Sequence, residues 1–527
     1  MPNDRMPDDR MPDDRMPNDH VATDSSSGAG GLTGRIAAGP DPLLRAEVLE
    51  PQLRFEIDAL LPWYVQLEKV LLLEYRRLGL LDGAQVGAIA DLLDAVTPEA
   101  VAREAEESMS DIAFTLERHV ASRLTEVPPA WHVDRSRNDL QATAQLMQGR
   151  ARLLECAEEL IAFGRTAHRL AGRGADLVMP GYTHMQPAQV ISPGFYFAAL
   201  CDQVLHTLDR LESVYRTAAA SPMGAGAMAG QELAWDRGRM AALLGFTEVR
   251  THALRAVAQR DWALEACAEF SLLGVALSRF VTDLMTWGGA GFGFIDLPDH
   301  WSGISSAMPQ KKNYPVLERI RARTAHLGAA YTAIATGQRS TPYSNSVEIS
   351  KEAGAGVPAA FDTVGSVLRL FGAVLENLRF RDDRMREACE SEYLGGFTLA
   401  NLLTLRAGVP WRTAQVVAGR YIVRAVERGL SPAEPDGALL DTILAEAGHT
   451  ADHAADLLAE AMSVPGGLTA KRSDGSANPD AVRALLADQE TAFDAWEKRW
   501  YGRRADVDAA AAEVDRLLAG PEGRQEW

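Results

Sequence analysis

Five long stretches of this chain repeat apolar residues at steps of three and four, the spacing of an amphipathic helix. Arg150–Arg173 carries Leu153, Leu154, Ala157, Leu160, Ile161 and Leu170 in that register. Phe195–Tyr215 repeats it with Phe197, Leu200, Cys201, Val204, Leu208 and Leu211. Trp262–Trp287 is apolar almost all round, through Phe270, Leu273, Leu277, Phe280, Val281 and Leu284, which places it in the middle of a bundle. Glu265, Glu269, Arg279 and Asp283 within it argue against a membrane span. Ile320–Ala335 and Phe361–Leu378 complete the set. Alternating β-branched runs with hairpin turns are almost absent, so the expected fold is all-α. Helices with so wide an apolar face pack as bundles, and often against other subunits.

Shorter helical patterns flank this centre. One helix runs through Leu60, Leu61, Val65, Leu67 and Leu71–Leu73, and a second through Ile89, Leu92, Leu93 and Val96. Another is expected over Pro98–Leu124, with Met109, Ile112, Leu116 and Val120 on one face and Asp111 and Glu117 beside them. Beyond Arg386 the pattern shortens to a smaller helical domain containing Leu399–Leu405, Trp411–Glu427 and Leu439–Leu458. Gly466–Pro479 reads as a polar loop and Ala505–Leu518 as an alanine-rich helical appendage. Met1–His20 is nearly four copies of a five-residue unit, polar and punctuated by proline, with Ser25–Gly31 continuing its character. It has no hydrophobic face to bury and no apolar signal-peptide core, so disorder is expected. The expected divisions are a tail over 1–33, an N-terminal helical domain over 34–138, a central bundle over 139–385, a C-terminal domain over 386–495 and an extension over 496–527.

Composition narrows the function. A net charge of -19 argues against nonspecific nucleic-acid binding, which needs a basic surface. Cys156, Cys201, Cys267 and Cys389 lie far apart without metal-ligand spacing, and read as buried thiols of a reducing compartment. The expectation is therefore a cytoplasmic protein with no cofactor, no metal, no nucleic-acid partner and no membrane partner.

Four loops between the long helices concentrate polar residues. Gly303–Arg319 reads GISSAMPQKKNYPVLER, follows the glycine-rich run Gly288–Gly293, and holds two of the chain's six lysines side by side. Glycine-rich backbone with hydroxyls and cations suits a site that closes over an anionic small molecule. The others are His132–Asp139 (HVDRSRND), Met179–Gln186 (MPGYTHMQ) and Ser221–Gly230 (SPMGAGAMAG), the last followed by Asp236 and Arg237. Singly these read as a solvated charge run, a capping histidine and a flexible connection.

Together they resemble the aspartase/fumarase superfamily, and within it the argininosuccinate lyases. Ser136–Asp139 matches that family's Ser-Arg-Asn-Asp, and Met179–His184 its Met-Pro-Gly-Tyr-Thr-His. Ser221–Gly230 matches its Ser-Pro-x-Gly-x-Gly-Ala-x-Ala-Gly, and Ser305–Asn313 its Ser-Ser-x-Met-Pro-Gln-Lys-Lys-Asn signature. Gly34-Arg35 with Asp41, and Pro410–Arg412, resemble its terminal regions, so the likeness runs from about Gly34 to Pro479. The resemblance implies a three-domain fold whose central five-helix bundles assemble as a homotetramer with a twenty-helix core. Each active site would be lined by loops from three subunits.

It also implies an elimination that releases fumarate from a succinyl group. The β-carbon proton is weakly acidic, so its removal needs cations and donors that stabilise the enediolate. By resemblance Ser305 is the base, activated by loop amides, cations and exclusion of water. His184, polarised by Glu318, is the general acid for the departing nitrogen. Lys311 assists catalysis, and Ser136, Arg137, Asn138, Thr183, Gln310, Asn313 and Arg237 bind the dicarboxylate substrate.

The departures from the family cluster on the amine side. Where the family holds arginine with Tyr, Gln and Lys, this chain has Asn345, Ser350 and Ala353. Arg255 and Gln259 replace two carboxylates, Ala113 replaces a histidine, Ala37 a serine, and Asp134 and Ile304 replace glycines. Asn313-Tyr314-Pro315 displaces a proline. The expected function is thus a lyase acting on an N-substituted aspartate or succinate whose amine is not arginine, which suits specialised metabolism. The alternatives are a genuine argininosuccinate lyase, a related elimination (of nitrite, for example) or cycloisomerisation, and an inactive crystallin-like homologue.

Overall fold

The protein is described by a computed structural model over residues 39–104 and 111–520. The N-terminal repeats, Gly34, Arg35, Ala37 and Met109 lie outside the described residues. In the N-terminal unit, which ends at Pro51, Asp41 caps a single turn at Pro42–Leu44 by accepting the Leu43 N–H at 2.8 Å. Residues from Gln52 onward form the second unit.

Six long helices build the centre of that unit: α1 Arg137–Arg173, α2 Pro193–Ala218, α3 Asp261–Gly288, α4 Pro315–Gln338, α5 Val357–Asn377 and α6 Pro479–Ala519. Their starts are chemically marked. Ser136, Ser192 and Asn478 accept first-turn amides, and Pro193, Pro315 and Pro479 occupy positions where the missing N–H costs nothing. The first five helices close a ring, α1 on α2, α2 on α3, α3 on α4, α4 on α5 and α5 back on α1, with α6 lying against α1 and α2. Two glycines of α1 allow this closeness. A Cβ at Gly149 would sit 2.1 Å from the Trp262 ring of α3, and one at Gly164 would sit 2.4 Å from Phe493 of α6.

α3 buries Phe270, Leu273, Leu277, Val281 and Leu284, yet leaves Leu272 50% and Val275 61% exposed. The helical segment Glu348–Asn377, which ends with α5, is long and apolar enough by composition to cross a membrane, but its Phe361, Val364, Leu368, Phe371 and Leu375 are buried in the bundle. A second core, formed by Leu399, Leu403, Val417, Tyr421, Leu440, Leu444 and Leu458, serves the C-terminal helices. All four cysteines are free and buried.

The expected helix boundaries change in four places. The single helix expected over Pro98–Leu124 is two, Pro98–Glu104 and Ile112–Ala121, because Asp111 is fully extended and caps the second. Leu439–Leu458 is also two, Gly437–Glu446 and Ala454–Met462, parted by left-handed backbone at Gly448 and His453. Val464–Thr469 is helical, so the polar loop is shorter than Gly466–Pro479. Ala505–Leu518 is no appendage. It ends the 41-residue α6, whose Phe493 and Trp500 are buried in the bundle, and the division expected at 496 falls in mid-helix.

The scarcity of strand has one consequential exception. β1 (Met179–Thr183) and β2 (Gln186–Ile191) form an antiparallel hairpin just after α1. It packs against Asp382–Ser391 and Val464–Thr469 of the C-terminal helices.

Candidate active site

The expected site residues fall at the two ends of α1, which at 37 residues is about 55 Å long. Ser136, Arg137, Asn138 and Arg237 lie at its start. Thr183, His184, Ser305, Gln310, Lys311, Asn313 and Glu318 lie at its finish, where Gly194 of α2 donates to Gly174 and Trp287 of α3 packs 4.5 Å from Tyr196.

At the start of α1 the Ser136 hydroxyl accepts the Asn138 N–H, as a helix cap. Arg137 donates to Asp111 at 2.6 Å and lies 4.5 Å over the Phe114 ring. The Asn138 amide donates to the Ala227 carbonyl at 2.9 Å, which joins this end to the Ser221–Gly230 loop. Buried Asp139 fastens the same loop by accepting the Gly224 and Gly226 N–H groups at 3.0 Å each. Burial pushes its carboxyl up to about 7 against the pull of those amides. Both glycines have positive φ, 79° and 65°, which a side chain disfavours. The Arg237 guanidinium donates to the Met223 and Arg250 carbonyls and so holds the loop from behind.

Asp134, standing where the family has glycine, keeps the left-handed backbone (φ 59°) that a glycine adopts easily. Its carboxylate accepts from the Glu232 and Leu233 N–H groups and the Trp235 indole, which offsets the strain and lowers its pKa. Next to it is a charged cluster that periodicity did not reveal. His132 contacts Glu68 at 2.9 Å and Glu117 at 3.2 Å, and Arg135 bonds to the same two carboxylates. Burial opposes charge on His132, but Glu68 and Glu117 outweigh it and raise its pKa.

A second network runs from Arg137 into the bundle. Asp111 precedes Ile112, whose N–H donates to buried Glu56 at 3.2 Å, and Glu56 also takes Lys351. Gln145, two turns past Asn138, donates to the Ser350 carbonyl at 2.7 Å and accepts from Arg260 at 2.8 Å. Arg260, buried, reaches Asn345 at 3.2 Å. The only sequence signal for these partners is a charged residue, such as Glu56 or Glu68, on an otherwise apolar helical face.

At the other end His184 and Met185 are the two turn residues of the hairpin, both exposed and both at positive φ (52° and 63°). That is the geometry of a tight hairpin turn, normally given to Asn and Gly, and it sets the imidazole at the tip. Tyr182 of the hairpin packs edge-on against Phe292, 5.6 Å between centroids, which brings the glycine-rich run alongside. The loop that follows is pinched by paired backbone bonds between Gly303 and Asn313, at 2.8 and 3.0 Å. Lys312 and Tyr314 anchor its neck on Asp296, at 2.9 and 2.8 Å. Between the pinch points Ser305 accepts the Met308 N–H at 3.1 Å, while Gln310 and Lys311 are exposed. Ile304 is 95% exposed, so the loss of glycine there meets no steric objection. Thr183 is exposed in the last pair of the hairpin, opposite Gln186. Glu318 is exposed in the first turn of α4. Among the described residues no hydrogen bond or ion pair within one chain joins His184, Ser305 and Glu318. Nor do three His, Cys, Asp or Glu side chains among them gather as a metal-ligand set.

Around the ring of long helices stand a hydroxyl loop with the exposed Lys311, an imidazole at a hairpin tip and a polar helix start. Residues 88–326 match a family model described as lyase. The chain is 32% identical over 418 residues to argininosuccinate lyase of Methylococcus capsulatus, covering 78% of this chain and 87% of that protein. It is 34% identical over 357 residues to argininosuccinate lyase of Pelotomaculum thermopropionicum, covering 67% and 77%. Among solved structures, EDDS lyase in complex with formate superposes with a TM-score of 0.80 at 23% identity, covering 93% of this chain and 97% of that one. A class II fumarase from Schistosoma mansoni superposes at 0.61 and 16% identity, covering 78% and 91%. The chain belongs to the aspartase/fumarase superfamily, on the side of the argininosuccinate lyases. It is a carbon–nitrogen lyase of the fumarate-releasing type.

Proposed function

We propose that this enzyme eliminates an amine other than arginine from an N-substituted aspartate, leaving fumarate. Ser305 takes the β-carbon proton, the enediolate is held by Lys311, Asn313, Ser136, Asn138 and Thr183, and His184, paired with Glu318, protonates the departing nitrogen. The Met308 amide on the Ser305 oxygen favours its deprotonated form, and Lys311, which has no ion-pair partner among the described residues, adds positive charge when the loop closes.

The observation that carries the altered specificity is what has become of the three amine-side positions. The Asn345 side-chain oxygen is taken by Arg260, Ser350 is buried with its carbonyl on Gln145, and the Ala353 Cβ lies 3.0 Å from where a Cβ on Gly337 would sit. A guanidinium placed there would find its acceptors already used, and a site that fails to pair a substrate's polar end discriminates by orders of magnitude.

Distance also asks for more than one copy of the chain. Residues about 55 Å apart along α1 cannot grip one dicarboxylate, so the start of α1 from one copy must meet the hairpin and loop of others. The exposed Leu272 and Val275 on α3 are suited to such packing, and we assign a homotetramer with shared sites.

Purified protein offered argininosuccinate and a panel of N-substituted aspartates, with fumarate read by absorbance, tests the reading. Turnover is expected for members of the panel and not for argininosuccinate, and full activity on argininosuccinate would sink it. Ser305→Ala is expected to lower kcat by about a thousandfold or more. Unchanged turnover in that variant removes Ser305 from the mechanism.

A further inference from the structure

Lys351 is one of six lysines in the chain and sits beside the altered amine-side positions, next to Ser350. It lies in a short π turn, Glu348–Glu352, that no helical periodicity announces. Its ammonium pairs with Glu56, a residue 295 positions away in sequence and only 2% exposed. Glu56 is held on both oxygens: one takes Lys351 and the Gln52 amide at 3.3 Å, and the other takes the Ile112 N–H at 3.2 Å. An ammonium has three N–H donors, and Glu56 accounts for one of them. The side chain of Lys351 keeps 17% of its surface, so it is not sealed in the core as Glu56 is.

Its place relative to the substrate grip follows from the hydrogen bonds. Arg137 holds Asp111, and the adjoining Ile112 holds Glu56, which holds Lys351. Independently, Gln145 ties Ser350 to the helical face that begins with Asn138. Lys351 therefore borders the same helix start that the proposed function gives to the succinyl carboxylates. Arg137 and Arg260 belong to the same network as Lys351. Among the described residues the ammonium of Lys351 has Glu56 as its one ion-pair partner, so an acid group brought beside it would be attracted and a guanidinium would not.

We propose that Lys351 is a specificity-determining residue that recognises a carboxylate carried by the leaving amine. The substrate class is then an aspartate whose nitrogen is shared with a second amino acid bearing a free acid group and no guanidinium. This rests on the proposed elimination of an amine from an N-substituted aspartate.

The test uses the full chain and matched substrate pairs. Aspartates N-substituted with glycine, β-alanine or γ-aminobutyrate are compared with the same compounds carrying the amine-side acid as its amide. Wild type is expected to favour at least one acid over its amide by about tenfold or more in kcat/KM. Lys351→Met should abolish that preference, the acid falling to the level of its own amide, and Lys351→Arg should restore most of it. Because Lys351→Met leaves Glu56 buried without its cation, the double variant Glu56→Gln/Lys351→Met supplies the same readout with no orphaned charge. Equal use of acid and amide by wild type, or a preference that survives in both Met variants, overturns the assignment. If wild type releases fumarate from none of these, the elimination fails as a reading, and Lys351 is judged by calorimetry with fumarate present. Tighter binding of a free amino acid than of its amide, lost in the Met variants, upholds its role, and equal binding refutes it.

Discussion

At the scale of single residues, several positions in and beside the proposed site hold an uncommon backbone conformation. His132, Asp134, His184 and Met185 all hold positive φ without being glycine. Such conformations persist only where surroundings over-determine them. For His132 the surroundings are Glu68, Glu117 and Arg135, and the prediction concerns pH. Its folded pKa is raised, so the stability it confers is complete below its unfolded pKa of about 6.5 and is lost as pH rises through the folded value. Urea unfolding of wild type and His132→Asn, a residue that tolerates left-handed backbone, should show a larger gap at pH 6 than at pH 9. A gap that does not change with pH would mean that the imidazole is uncharged in the fold. The family motif exposed Ser136–Asp139 and Met179–His184 in the sequence, because short-range spacing is written locally. It did not show that Arg237 donates to the Met223 and Arg250 carbonyls, since those residues lie on segments before and after it that only the fold brings together.

At the scale of elements, helical type was legible nearly everywhere and helix limits were not. Leu439–Leu458 keeps a helical register through residues that the structure bends at Gly448 and His453, because apolar spacing survives a break that is only a few residues long. The hairpin went unseen because Met179–Ile191 has two prolines and no alternation, and its strands are built by packing on the C-terminal helices. α6 supplies the prediction at this scale. Trp500 is fully buried and meets Tyr215 edge-on at 5.4 Å, so Trp500→Ala should cost about 3–5 kcal/mol in chemical unfolding. Leu405→Ala, at a position 82% exposed, should stay within about 0.5 kcal/mol. A small loss at Trp500 would restore the view of this segment as an appendage.

At the scale of the whole molecule, the separation of the two groups of site residues is the main fact. If one site draws on several copies, then an Asn138→Ala protein and a His184→Ala protein, each inactive, can complement each other. Mixed and reassembled, they should recover a measurable fraction of wild-type turnover, because some sites then receive an intact Asn138 from one copy and an intact His184 from another. Mixtures no more active than the separate variants would place both residues of a site in one chain.

The sequence by itself determined that the chain is helical, that its middle is a bundle, and which loops carry polar chemistry. Each of these depends on residues a few positions apart, and their spacing is a local property. Only the tertiary structure decided that Glu56 meets Lys351, that Gln145 meets Ser350 and Arg260, and that Ser136 and Ser305 lie at opposite ends of one long helix. Those pairings join residues far apart in the chain. They depend on how the helices close their ring, which no local period encodes.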